Sequence, residues 1–284
     1  MSKYMSKEKE IEEFRKRHSH PDEAGQESLF RFSKVPTQAE YLSALFVEGK
    51  LYHSLPSRFN DPFEAKPHFR WPSSGKGVRK IRKHLKKVAR AQGKTKKEAD
   101  KMVAVAIRNK EEIFASIYDA AHKTYSRARL CCFTSSKDNL LFWAHYAEGH
   151  RGFCVEYDAS ILPISYAFKL AYSDEYPEFE YPSPRDIREL DPLLVKSNHW
   201  AYEEEFRTIL IPEADKQPDN DGESLILRGD EIIDIYFGAR MENESKDLVM
   251  ELLDQGPFKP KIWQAKLSPS EFKLEFNLLA NSKT

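Results

Sequence analysis

The chain reads as an α+β protein: a mixed, mostly antiparallel sheet core with peripheral helices and a basic helical insertion. Three observations predict this. Short runs of β-branched and aromatic residues recur from Leu29–Phe32 to Phe272–Phe276. One stretch, RLCCFTSSKDNLLFWAHYAEGHRGFCVEYD (129–158), orders itself as strand, loop, short helix, turn and strand, the expected centre of the sheet. Between about residues 75 and 124 the chain turns to Lys, Arg and Ala with an apolar stripe, the pattern of surface helices.

Residues 1–27 are charged and offer little to bury, so they read as a flexible arm with at most a frayed helix over Lys7–Arg17. The single α+β domain is expected over 28–284. In Leu29–Phe32 period-2 alternation sets Arg31 opposite Phe30 and Phe32. Pro36 and Thr37 open a helix with an apolar stripe of Tyr41, Leu42, Leu45 and Phe46, and Gly49 ends it. Leu51–Ser54 is a second strand, and the Pro- and Asn-rich run after it forces turns.

The insertion reads as a basic amphipathic helix over Val78–Ala106, with Ile81, Leu85, Val88 and Ala89 on one side, and a second from Lys97 to about Tyr118. In the central stretch Ser136 or Asp138 could cap a helix over Leu140–Tyr146, stopped near Gly149. A strand is expected over Ala167–Tyr172, then an acidic Pro-rich loop through residue 186 and a helix over Ile187–Ser197. His199–Leu210 reads as one strand with Trp200, Tyr202, Glu204 and Phe206 on one side and Glu203, Glu205 and Arg207 on the other. A polar loop, Lys216–Glu223, precedes strands at Leu225–Leu227 and Ile232–Phe237, a helix at Asp247–Leu253 and closing strands at Lys261–Leu267 and Phe272–Phe276.

Composition narrows the function classes. Lys+Arg 45 balances Asp+Glu 45, so no overall field points to nucleic acid or membrane, although cations crowd Lys76–Lys101 and acids crowd Asp174–Glu231. Three cysteines, two of them adjacent, make no disulfide framework, which suits a reducing cytoplasm. No run is long enough to span a bilayer and no apolar signal core opens the chain, so a cytoplasmic protein is expected. His145, His150, Cys131, Cys132 and Cys154 lack metal-ligand spacing, and no metal site is expected there.

Chemistry points to the acids. Glu203 and Glu205, two apart on one strand, repel unless something uses or neutralises them, and Arg207 on the same face is the natural partner. A cleft lined by such acids would stabilise a developing positive charge, such as an oxocarbenium-like sugar centre. Asp61 and Glu64 are further candidate acids, with turn capping the plainer role for the Asn-Asp-Pro run.

The chain resembles the bacterial domain-of-unknown-function family 2971 in LYHSLPSRFNDPFE, CFTSSKDNLLFWAHYAEGHRGFCVEYD, WAYEEEFR and IIDIYFGAR. A second resemblance is to Arg-Ser-Glu ADP-ribosyltransferases, through Arg31 on a first strand, Ser54 on a second and Glu203-x-Glu205 on a later one. Ser-Leu-Pro-Ser stands here for that superfamily's usual Ser-Thr-Ser. The second resemblance implies NAD as substrate, with Arg31 gripping its phosphates and Ser54 supporting the nicotinamide pocket. It implies that Glu205 binds the nicotinamide ribose and stabilises the oxocarbenium, while Glu203 orients or deprotonates the acceptor. Tyr146 would line the same cleft, and His53, Asn60, His145 and Arg207 are the remaining candidate contacts to NAD.

Three functions follow. The first is an NAD-dependent ADP-ribosyltransferase-like enzyme, or NAD glycohydrolase, in a toxin or phage-defence effector, with a protein or nucleic-acid acceptor. The second is a nucleic-acid-binding module in which the basic helices contact phosphate, an acidic protein partner being the other option for that face. The third is a nuclease or phosphodiesterase using Asp61, Glu64, Glu203 and Glu205 around a divalent ion.

Overall fold

The computed structural model describes residues 7–36, 38–182, 187–212 and 217–281. Eight strands share one sheet: β1 (Ser28–Ser33), β2 (Arg129–Thr134), β3 (Phe153–Asp158), β4 (Phe168–Lys169), β5 (Glu205–Leu210), β6 (Ile232–Phe237), β7 (Lys261–Leu267) and β8 (Leu274–Asn281). Their spatial order is β8-β7-β6-β3-β1-β2-β5-β4. Neighbours run antiparallel except β6 and β7, which are parallel. A parallel pair needs a crossover, and helix α8 (Asn243–Gln255) supplies it. The expected mixed, mostly antiparallel α+β sheet is therefore what forms.

Alternation along the strands divides the core. Leu29, Cys131, Phe133, Val155, Tyr157 and Phe206 face one side, where α2 (Glu40–Phe46) covers them with Leu42, Leu45 and Phe46 and α8 adds Val249, Leu252 and Leu253. Gly49 turns the chain after α2 with φ 68°, and a Cβ there would collide with the Leu227 carbonyl oxygen. Thr37, expected to open this helix, lies outside the described residues, and Tyr41 points to solvent.

The opposite face carries two apolar patches. Phe30, Phe32, Cys154 and Tyr236 pack with Phe142 and Trp143 of α6 (Leu140–His145). Leu130, Phe168 and Ile209 pack with Phe14, Leu193 and Leu194. A polar strip separates the patches. Asn139, and not Ser136 or Asp138, caps α6, its Oδ1 accepting from the Leu141 amide at 3.0 Å.

The N-terminal arm departs from expectation. Residues 1–6 lie outside the described residues, but α1 (Lys7–Arg17) is docked on the sheet edge. Phe14 is fully buried, Arg17 pairs with Asp191, and the His18 and His20 rings meet the Lys169 and Ala167 carbonyls at 3.0 and 2.7 Å. One aromatic anchor outweighs the charged residues around it, because burying a phenyl ring is worth roughly 2–3 kcal/mol.

The insertion holds three helices, not two: α3 (Gly75–Ala91), α4 (Lys96–Ala106) and α5 (Lys110–Tyr125). Gly93 at φ 83° breaks the first reading, and Thr95 with Glu98 closes a capping box that restarts the chain as α4. The Pro-rich acidic loop contains a short strand, Glu178–Glu180, parallel to His68–Arg70 at the root of the insertion; residues 183–186 lie outside the described residues. The helix expected over Ile187–Ser197 is a 3-10 turn, a four-residue helix α7 (Asp191–Leu194) and a strand over Val195–Ser197. Likewise Ala167–Tyr172 is split between β4 and a separate strand, Ala171–Ser173, paired with Val195–Ser197. Lys216, the first residue of the expected polar loop, lies outside the described residues.

One irregularity positions the site. β1 and β2 are joined at a single pair, Phe30 with Thr134. Farther along β2, Ser54 takes the neighbouring place, exchanging two backbone hydrogen bonds of 2.8 Å with Leu130. The two strands diverge between these points, and a hollow opens in the sheet.

Candidate functional site

A cavity of about 410 Å³ occupies that divergence. Arg31, Phe30 and Phe32 form one wall, Cys132 and Phe133 the facing one, with Ser54 and Asn60 on the loop side. Tyr146 and His145 enter from the end of α6, and Glu203, Glu205 and Arg207 close the floor. Thus Arg31, Ser54, Asn60, His145, Tyr146, Glu203, Glu205 and Arg207, spread over 177 positions of sequence, meet at one hollow. His53 does not. It is fully buried on the other face of the sheet, its Nε2 at 2.8 Å from Thr208 Oγ1 and its Nδ1 at 2.8 Å from the Leu51 carbonyl oxygen. Burial holds its pKa down at about 4, so it is a neutral packing residue.

Glu203 and Glu205 do not share a strand face. Asn198–Glu203 is a 3-10 helix that Ser197 starts, its hydroxyl accepting from the His199 amide. Glu204 then takes a left-handed conformation at φ 44°, and β5 begins only at Glu205. This reversal brings the two carboxylates to one ammonium. Lys196 Nζ donates to Glu203 Oε2 at 2.5 Å and to Glu205 Oε2 at 3.0 Å, and lies 3.3 Å from Glu64 Oε1.

Arg207 completes the floor. Its Nε donates to Glu205 Oε1 at 2.6 Å, its Nη1 to the Leu193 carbonyl at 2.9 Å, and its Nη2 to Glu64 and Glu205. The Phe59 ring lies 5.2 Å from its guanidinium carbon. Sequence reasoning gave no role to Lys196. The signal available was a single lysine ending the apolar run Pro192-Leu193-Leu194-Val195, where a cation survives only if paired. Of the turn acids, Asp61 accepts from the Phe63 amide at 2.8 Å and caps the turn, while Glu64 reaches the floor.

The two central carboxylates are driven apart. Burial alone would raise Glu205, but Arg207 and Lys196 outweigh it and hold its pKa at about 2. Burial is also the largest influence on Glu203; there Lys196 and Tyr146 offset it only in part, and the pKa lies above the ordinary carboxylate value. The Tyr146 hydroxyl donates to Glu203 Oε1 at 2.6 Å, and burial together with that carboxylate keeps it protonated. Cys132 is no nucleophile, because burial and then Glu205 push its thiol well up.

Arg31 stands apart from the floor. It leaves β1 on the Leu29 side, half-buried among Cys131, Tyr157 and Cys132, with Tyr157 as a side-chain hydrogen-bond partner, and none of the ion pairs among the described residues joins it to a carboxylate.

Glu64 and Lys196 also form the partition to a second hollow of about 520 Å³, walled by Phe63, Tyr176 and Trp200 with Lys66 at its rim. Where the nuclease reading needs a divalent ion between the carboxylates, the Lys196 ammonium fills the space, and the described residues include no cluster of His, Cys, Asp and Glu able to hold a metal. No helix among the described residues is long and apolar enough to cross a membrane. No family model, no curated protein and no solved structure matches the chain.

Proposed function

We propose that the chain is an NAD-consuming enzyme of ADP-ribosyltransferase type, acting in the cytoplasm as a toxin or phage-defence effector. One observation carries the reading: Arg31, an arginine in no ion pair with a described carboxylate, and a carboxylate of raised pKa line a single cavity of about 410 Å³. Arg31 suits the pyrophosphate, since a planar guanidinium matches phosphate oxygens. Phe30, Phe32, Phe142 and Tyr146 offer faces on which a nicotinamide ring can stack.

In this reading the C–N bond between ribose and nicotinamide breaks, and its electron pair leaves with the ring. The ribose becomes an oxocarbenium, whose charge the acidic floor stabilises. Water or an acceptor hydroxyl or amine then attacks the anomeric carbon and gives its proton to Glu203. A base is most effective when its pKa approaches the working pH, and burial moves Glu203 in that direction. Both carboxylates accept hydrogen bonds on both oxygens, Glu203 from Tyr146 and Lys196 and Glu205 from Arg207 and Lys196. The Glu203 pKa lies above the ordinary carboxylate value, whereas that of Glu205, the residue expected to bind the ribose, is held at about 2. Its part is to hold the floor and supply negative charge, and the proton-accepting role falls to Glu203.

The test is nicotinamide release from NAD, followed by chromatography, with wild-type protein and Glu203→Gln. Release that falls at least about a hundredfold in the variant, in the range of general-base contributions, supports the reading. Equal release, or none from wild-type protein together with no thermal stabilisation by NAD, ends it.

A further inference from the structure

The reading above leaves the insertion without a role, and α3 is its most unusual element. From Lys76 to Arg90 every charged residue is a cation, in a chain whose net charge is zero. Helices α4 and α5 beside it mix signs, with Glu98 and Asp100 in the first and Glu111, Glu112 and Asp119 in the second. A face that serves solubility alone intersperses both signs, as those two do, because a single-signed surface repels itself. Lys86 of α3 forms an ion pair with Asp100 at 2.6 Å.

The cations are segregated from the apolar side. Gly77, Ile81 and Ala89 are buried, and Leu85, Val88 and Ala89 border an apolar hollow shared with Met102, Val103 and Ile113. At helical spacing Arg79, Lys83, Lys87 and Arg90 fall opposite that stripe, and all four are exposed. This basic arc contains no aromatic or aliphatic residue. A protein partner would need apolar anchors to bind there, since charge alone at a rim adds little affinity. A phosphodiester backbone needs only regularly spaced cations. The α3 axis is about 25 Å long, enough to follow a backbone past several phosphates.

We propose that the exposed arc of α3 binds the phosphate backbone of nucleic acid without reading its sequence. The proposal stands independently of the NAD reading. Its affinity falls steeply with salt: neutralising about three or four phosphates gives a log–log slope of about −3, or a roughly 60-fold loss between about 50 and about 200 mM salt.

The experiment is fluorescence anisotropy of the full chain with a labelled DNA duplex about two helical turns long, and a single-stranded RNA of similar length, at several salt concentrations. Binding with that slope, weakened more than about tenfold in Arg79→Glu/Lys83→Glu/Lys87→Glu, supports the proposal. The matching neutral variant, Arg79→Gln/Lys83→Gln/Lys87→Gln, should lie between, which separates loss of attraction from damage to the helix. A charge reversal elsewhere, Lys259→Glu/Lys261→Glu/Lys266→Glu, should leave most of the binding intact. Salt-independent binding, equal competition by polyglutamate, or unchanged affinity in the α3 variant would overturn it.

Discussion

The Tyr146 hydroxyl donates to Glu203 Oε1 at 2.6 Å, tying the end of α6 to the last residue of the 3-10 helix before β5. The contact links two patches of structure that have no strand pairing with each other, and it sets how readily Glu203 takes a proton. Glu203 answers to three neighbours: burial lifts its pKa, while Lys196 and Tyr146 lower it.

Replacing that hydroxyl has a directional outcome. Tyr146→Phe removes a donor to the ionised carboxylate, so the Glu203 pKa rises further. The acidic limb of NAD turnover should move to higher pH, with a stability loss of about 1.5–3 kcal/mol for a hydrogen bond to a charged group. A pH–rate profile of the variant beside wild type reads the shift, and a limb at unchanged or lower pH would contradict it.

Glu205→Gln should behave as a folding mutation before it behaves as a catalytic one. The substitution leaves Arg207 buried with Glu64 as its remaining carboxylate, and removes a carboxylate from Lys196. Breaking a buried pair on one side typically costs about 3–5 kcal/mol. Thermal unfolding should show Tm lowered by on the order of 10 °C. Glu203→Gln, whose partners are two donors to one carboxylate, should lose less.

Arg31→Met should move stability the other way. The guanidinium is half-buried without a carboxylate partner, so it carries a desolvation penalty that the Tyr157 hydroxyl offsets in part and a bound anion would offset further. In the absence of ligand the variant should unfold at the same or a higher temperature than wild type. Thermal stabilisation by NAD should disappear. An unliganded Tm several degrees lower would mean that Arg31 is a structural residue.

His53 sets an acid limit to stability. Its pKa is lowered from 6.5 to about 4, chiefly by burial. A folded-state pKa below the unfolded one means that the unfolded chain binds the proton first as pH falls. The contribution is complete above about pH 6.5 and disappears as pH drops to about 4, amounting to about 3 kcal/mol over the window. Urea unfolding between those pH values should show the decline, and His53→Gln should flatten it. An equal slope in wild type and variant would assign the decline to other groups.

Much of this arrangement is legible in the residues. Period-2 alternation in Leu29-Phe30-Arg31-Phe32 gives both the strand and the separate direction of Arg31, because a pleated strand has only two faces. The helix from Leu140 and the strands either side of it follow from spacing, although Asn139 and not Ser136 or Asp138 caps it. The route to the acidic floor does not. Glu203 and Glu205 were expected to meet by alternation, yet the left-handed turn at Glu204 places them, and nothing short-range in Tyr-Glu-Glu-Glu-Phe signals it. Lys196 and Glu64 become partners only when the Val195–Ser197 strand and the Pro56–Lys66 loop are brought together by the fold. The break between α3 and α4 is readable, since Thr95-x-x-Glu98 after Gly93 is a helix start.

Thr134 is bonded on all sides: to Phe30 and Glu205 through their strands, and by its hydroxyl to the Glu203 carbonyl at 2.7 Å. It therefore acts as the pivot of a V whose arms are β1 and β2. A guest that enters between those arms meets resistance that grows toward the apex. On that geometry a guest slender at its leading end would reach deeper than a blunt one.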